Sequence, residues 1–155
     1  MIALRCEGGD WPDAALIADA ERLMTYADLA SGELSLVLCD DLFIAELNRT
    51  WRGVDGPTDV LSFAMGEGED SELNPDVLGD VVISMDTAAR QASELGHGVD
   101  HEVRVLLIHG FLHLLGYDHI EPDDAVEMRE AEDRMLTMLG GEGAGLVGRA
   151  GDAAG

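Results

Sequence analysis

The chain of 155 residues contains no lysine, so all nine of its basic residues are arginines. Against 32 Asp and Glu they leave a formal net charge of −23. Such a surface repels polyanions overall and argues against nucleic-acid binding through broad basic patches, while a local basic site inside an acidic exterior stays open. The acid excess suggests a protein of a salty cytoplasm. No apolar run approaches the roughly 20 residues that cross a bilayer, so no membrane partner is expected. The start, Met1-Ile2-Ala3-Leu4-Arg5-Cys6-Glu7, has neither the basic nor the apolar region of a secretion signal, and the expected location is cytoplasmic. Cysteine is scarce: Cys6 and Cys39 stand alone in strand-like runs, which excludes a local metal-binding pair and suits buried thiols in a reducing compartment.

What is present is a cluster of histidines. Three of the five fall in His109-Gly110-Phe111-Leu112-His113-Leu114-Leu115-Gly116-Tyr117-Asp118-His119. His109 and His113, four apart, share one helix face, so both imidazoles can reach one ion. On a continued helix His119 would lie about 9 Å beyond His113 and point elsewhere. It joins the site if the helix stops, and Gly116 sits where a left-handed residue would stop it. The stretch therefore reads as helix, glycine stop, tight turn, third ligand. Three imidazoles and an open position are the donor set of catalytic zinc, one ion per chain. The spacing also fits the long zinc motif of one metalloprotease group. Those enzymes need Glu directly after the first histidine as general base, and here that place holds Gly110.

Length and pattern suggest one α+β domain over residues 1–140, a small, mostly four-stranded mixed sheet covered by about five helices. The predicted strands are Ile2 to Cys6, Leu34 to Cys39, Thr58 or Val60 to Ala64, and Val77 to Ser84. The predicted helices run from Pro12 to about Leu29, from Leu42 to about Thr50 behind an Asp40 or Asp41 cap, from Thr87 to Leu95 behind Ser84 or Asp86, from an Asp100 cap through the histidines, and from Glu121 to Leu139. Gly66 to Asp76 reads as an acidic exposed loop, and the Gly- and Ala-rich residues 141–155 as a disordered tail. Gly79 marks a bulge or a close approach of a ligand to the backbone. His97 reads as a solvated loop histidine. Arg52, placed in a loop beside Trp51, has the planar fork that grips a phosphate.

Three segments carry a family resemblance: His109 to His119; Trp51-Arg52-Gly53 with Pro57-Thr58-Asp59-Val60-Leu61-Ser62-Phe63; and Leu78-Gly79-Asp80 with Gln91-Ala92, Glu94 and Gly96-His97. In these the chain resembles the YbeY family of bacterial endoribonucleases, also called rRNA maturation factors. The resemblance implies an α+β fold and a zinc ion on His109, His113 and His119. It implies cleavage of single-stranded RNA in 16S rRNA 3′-end maturation and ribosome quality control, with Arg52 needed for activity. Its implied partners are single-stranded rRNA, the small ribosomal subunit, and ribosomal proteins or a small GTPase. The chain departs from the family in having Val54 and Gly56 where members often carry lysines, and Ala64 where they often carry proline.

The expected chemistry is metal-dependent phosphodiester hydrolysis, with Arg52 holding the scissile phosphate. Asp118 is the candidate for general base, or for the carboxylate that orients a ligand histidine, against the plain reading of a turn-forming Asp. The rivals are hydrolysis of another bond on the same metal, as by a peptidase or amidohydrolase, and a non-enzymatic ribosome-associated protein with structural zinc.

Overall fold

Four strands and six helices make up the computed structural model of the chain, which describes residues 1–64, 77–141 and 143–152; the acidic loop expected over Gly66 to Asp76 lies outside them. In chain order these are β1 (Ile2–Glu7), α1 (Ala14–Tyr26), β2 (Glu33–Cys39), α2 (Asp41–Arg52), β3 (Val60–Ala64), β4 (Val77–Ser84), α3 (Met85–Leu95), α4 (Val99–Leu114), α5 (Pro122–Met138) and α6 (Leu146–Asp152). The sheet order is β1-β2-β4-β3. β1 pairs parallel with β2 and β2 with β4, while β3 runs antiparallel to β4 on the far edge. The expected mixed four-stranded α+β sheet is therefore present.

Alternation in the strands decides what each face buries. Leu34, Leu36, Leu38, Val81 and Ile83 enter the main core with Leu23 of α1, Leu106 and Phe111 of α4, and Met128 of α5. Val37, Cys39 and Val82 point to the other face and close a smaller cluster with Ile44 of α2. α4 is the central element: ten of its residues from Val103 to Leu114 are buried, so it carries apolar side chains nearly all round. It packs against β3 and β4 on one side and against α1, α3, α5 and α6 on the others.

Gly110 is the point of closest approach. A Cβ there would lie 2.7 Å from Val81 Cγ1 and 3.0 Å from Ser62 Oγ. The register slips at Leu78, between the pairs Glu33–Val77 and Leu34–Gly79, which is the bulge expected beside Gly79. At Gly79 (φ +150°) the room of a side chain is taken by the Phe63 carbonyl and by Leu114 Cδ2, so the close approach is that of α4 and β3.

Several boundaries differ from expectation, each for a local reason. α1 ends at Tyr26 because Asp28 takes a left-handed conformation (φ 61°), with Leu29 N bonded to Met24 O at 2.7 Å. α4 is capped by Gly98, which places Asp100 inside its first turn. α2 runs to Arg52 and stops on left-handed Gly53, so Arg52 is a helical residue rather than part of the loop.

Part of the span expected as a tail, Leu146–Asp152, is helical. Within residues 141–155 the chain folds again into α6, where Val147 is buried and its N–H donates to Glu132 Oε1 at 2.9 Å. A Gly- and Ala-rich segment orders here because buried carboxylates elsewhere in the chain take up its polar groups.

Candidate metal centre

The end of α4 builds the site. Leu112 O accepts from Tyr117 N at 3.0 Å and His113 O from Gly116 N at 3.1 Å, with Gly116 at φ +99°. This is a Schellman stop, and it reverses the chain as the spacing requires. His119 comes back over His109 and His113, with ring centroids 5.4 and 5.6 Å away, and His109 and His113 are themselves 4.6 Å apart. One nitrogen from each of the three lies within 4.8 Å of the other two.

The geometry fits a metal ion. The Nε2 atoms of His109 and His113 are 3.1 Å apart. Two imidazole ligands of one tetrahedral zinc, at bond lengths of about 2.05 Å, stand about 3.3 Å apart. His109 is buried, His113 half-buried and His119 exposed, so the cluster opens towards solvent on the His119 side. Burial, and then the neighbouring His109 and His119, push the His113 pKa below the ordinary imidazole value. The neutral form, the one that binds a metal, is thereby favoured.

Sequence reasoning missed Glu132. It lies on α5, is fully buried, and its Oε2 is 3.0 Å from His109 Nδ1. With Nδ1–H donating to this carboxylate, the Nε2 lone pair of His109 is left for the ion. Glu132 is thus placed as an orienting carboxylate for His109, the kind of role the sequence offered to Asp118. Asp118 is exposed and its Oδ1 accepts from Ile120 N at 3.0 Å, the bond of a turn-forming Asp. The only signal for Glu132 in the sequence was an acidic residue on the apolar stripe of α5, flanked by Ala131 and Met135.

His109 and His113 line a cavity of about 340 Å³ with Arg52, Val60, Leu61, Ser62, Ala64 and Leu114. Among the described residues, Arg52 is the one arginine on this wall and no carboxylate lines it. The Arg52 guanidinium donates from Nη2 to Ser62 O at 2.7 Å and stacks over Phe63, 4.7 Å from the ring centroid. Trp51 meets the same ring edge-on at 6.3 Å. Behind it, buried Asn48 donates to Gly56 O at 3.0 Å and holds the loop that follows α2. Ser62 Oγ donates to Gly110 O at 3.0 Å and ties this wall to the metal helix. The structure thus brings Arg52, His109 and His113 to one cavity, and neither His119 nor Asp118 is part of its described lining.

His97 is not simply a solvated loop residue. Its Nε2 lies 2.6 Å from Oε1 of Glu102, a fully buried carboxylate of α4, and its ring packs edge-on against His101 at 4.7 Å.

Residues 13–140 match the family described as Endoribonuclease YbeY. An Endoribonuclease YbeY of Moorella thermoacetica is 46% identical over 136 residues, covering 81% of this chain and 87% of the relative. That of Geobacter sulfurreducens is 48% identical over 129 residues, covering 83% and 85%. A solution structure from Thermotoga maritima superposes with a TM-score of 0.61 at 26% identity, covering 88% of both chains. With a histidine triad closed by a glycine stop, an arginine across the cavity, and similarity along most of its length, this chain belongs to the YbeY endoribonuclease family.

Proposed function

We propose that this protein is a zinc-dependent, single-strand-specific endoribonuclease acting in 16S rRNA 3′-end maturation and ribosome quality control. Its partners on this reading are single-stranded rRNA and the small ribosomal subunit, with ribosomal proteins or a small GTPase in attendance, in the cytoplasm. No helix among the described residues is long and apolar enough to cross a membrane. The observation that carries the reading is the meeting of Arg52 with His109 and His113 on one cavity wall, beside the exposed His119.

His109, His113 and His119 would hold the zinc. When bound, the ion supplies Lewis-acid polarisation of a phosphoryl oxygen and acidification of water. The protein's own contribution is positional. Glu132 fixes the orientation of His109 through Nδ1–H. Arg52, placed by Ser62 O and the Phe63 face, would bring its guanidinium to a phosphate oxygen and stabilise charge that develops there. Gly110 occupies the position a peptidase of similar spacing would need for Glu, and its lack of a Cβ is required by Val81 and Ser62. Among the described residues, the lining of the cavity offers no carboxylate to take that place.

The test is cleavage of single-stranded and duplex RNA by zinc-loaded protein, beside Arg52→Ala and His113→Ala variants of confirmed fold. We expect single strands to be cut and duplexes spared. Arg52→Ala should lose on the order of 100-fold in rate, the usual cost of one donor to a developing charge. Equal cutting of duplex, or full activity in either variant, would sink the reading.

A further inference from the structure

We propose that α6 is a strap whose docking is coupled to metal binding through Glu132, acting as a positioning residue for His109. The inference rests on the metal site described above but not on RNA cleavage. α6 lies beyond residues 13–140, the span that matches the family.

Glu132 is fully buried, and its two oxygens face two different parts of the molecule. Oε2 meets His109 Nδ1 at 3.0 Å; Oε1 accepts from the Val147 N–H at 2.9 Å. A buried carboxylate needs both oxygens satisfied, so the α6 backbone completes the shell that holds His109. The fit is close. A Cβ on Gly145 would fall 2.7 Å from Glu132 Cβ and 2.9 Å from its Oε1, so only a glycine lets the backbone lie on this side chain.

The other end of the strap repeats the device. Arg149 Nη1 donates to Glu102 Oε2 at 2.8 Å, while Glu102 Oε1 faces His97 Nε2. Glu102 is also fully buried and stands on α4, the helix that carries His109 and His113. One glutamate from each of α4 and α5 therefore grips α6 and, with its second oxygen, a histidine.

The direction of coupling follows from this chemistry. An ion on Nε2 draws electron density from the ring, makes Nδ1–H a stronger donor, and holds Glu132 in the rotamer that receives Val147. Conversely, loss of the strap leaves Oε1 without its donor and frees Glu132, and with it the ring of His109, to turn. Such coupling is reciprocal by thermodynamic necessity.

The test uses the full chain. Hydrogen exchange of the segment 146–149 is followed with and without zinc. Zinc affinity is read by chelator competition, and ligand geometry by the visible spectrum of the cobalt form, in the parent, Glu132→Gln and Gly145→Val. Zinc should slow exchange at Val147 in the parent and not in Glu132→Gln. Gly145→Val, which alters no histidine, should bind zinc on the order of tenfold more weakly, the usual cost of disturbing an outer partner, and should shift the cobalt spectrum. Unchanged exchange on adding zinc would overturn the proposal, and that measurement needs no variant to fold. A Gly145→Val protein of intact fold that binds zinc like the parent would overturn it too. A parent that shows the coupling but leaves RNA intact would refute the proposed function and uphold this inference.

Discussion

Gly110 shows how one residue can serve packing and chemistry at once. An alanine in mid-helix gains about 1 kcal/mol of propensity over glycine. Here its methyl would meet Val81 Cγ1 at 2.7 Å and crowd the Ser62 hydroxyl, which donates to Gly110 O. Overpacking costs about 1–3 kcal/mol and a disturbed hydrogen bond about 1 more, so the clash outweighs the propensity. Gly110→Ala should therefore lower the midpoint of urea unfolding without changing the slope. A midpoint at or above the parent's would show that α4 can move off the sheet at little cost. Cys39 offers a second test. Burial, and then Asp40, Asp41, Asp86 and Glu7, push its thiol up to about 12. At about pH 8 it stays un-ionised as well as covered, whereas Cys6 is half-exposed. Iodoacetamide on the native protein should label Cys6 and spare Cys39 in peptide mass spectrometry; labelling of Cys39 first would contradict the burial. At this scale the histidines were legible because spacing alone reports a shared face. Glu132 was not, because its partners lie 23 residues back and 15 residues ahead.

The elements are joined by polar groups at their ends. Asp41, in the first turn of α2, accepts from the Ser84 hydroxyl at 2.6 Å, from the Thr87 hydroxyl at 2.7 Å and from Arg90 at 2.8 Å. It thereby ties α2 to the junction of β4 and α3. Burial alone would raise its pKa, but those two hydroxyls and Arg90 together hold it below the ordinary value of 3.8. A carboxylate depressed in the folded state adds stability that is fully present above 3.8 and is lost as pH falls through its lower folded value. Asp41→Asn should cost about 1 kcal/mol near neutrality, and the gap from the parent should narrow in acid. Chemical denaturation at several pH values checks this, and a gap independent of pH would refute it. The resemblance segments are linked in the same way, Gln91 Nε2 donating to Asp59 Oδ2 at 3.2 Å. Element ends show what a sequence hides. Gly53, Gly96 and Gly116 stop helices as their residue type suggests, whereas Asp28 does the work of a glycine in α1 and Gly98 displaces Asp100 as the cap of α4.

For the whole molecule the governing quantity is the net charge of −23. Like charges on a compact surface repel, and added salt screens them within about 10 Å at 0.1 M and about 3 Å at 1 M. Thermal stability should therefore rise between low and molar KCl, and a flat melting temperature would dismiss both the repulsion and the salty-cytoplasm origin. A metal held by three histidines stabilises only the folded state, by about 2.7 kcal/mol when free zinc is a hundred times its dissociation constant. The melting temperature should climb with zinc in the parent and stay still in His113→Ala; a climb in both would place the ion elsewhere.

Regular spacing and the alternation of apolar residues carried the four strands, the metal helix, its glycine stop and the three histidines, because each depends on neighbours within a few positions. The place of Arg52 opposite them, the grip of Glu132 on His109 and the formation of α6 came only with the tertiary structure. Each is a contact between side chains far apart in the chain, chosen by which helix packs on which edge of the sheet and by the need of buried carboxylates for partners.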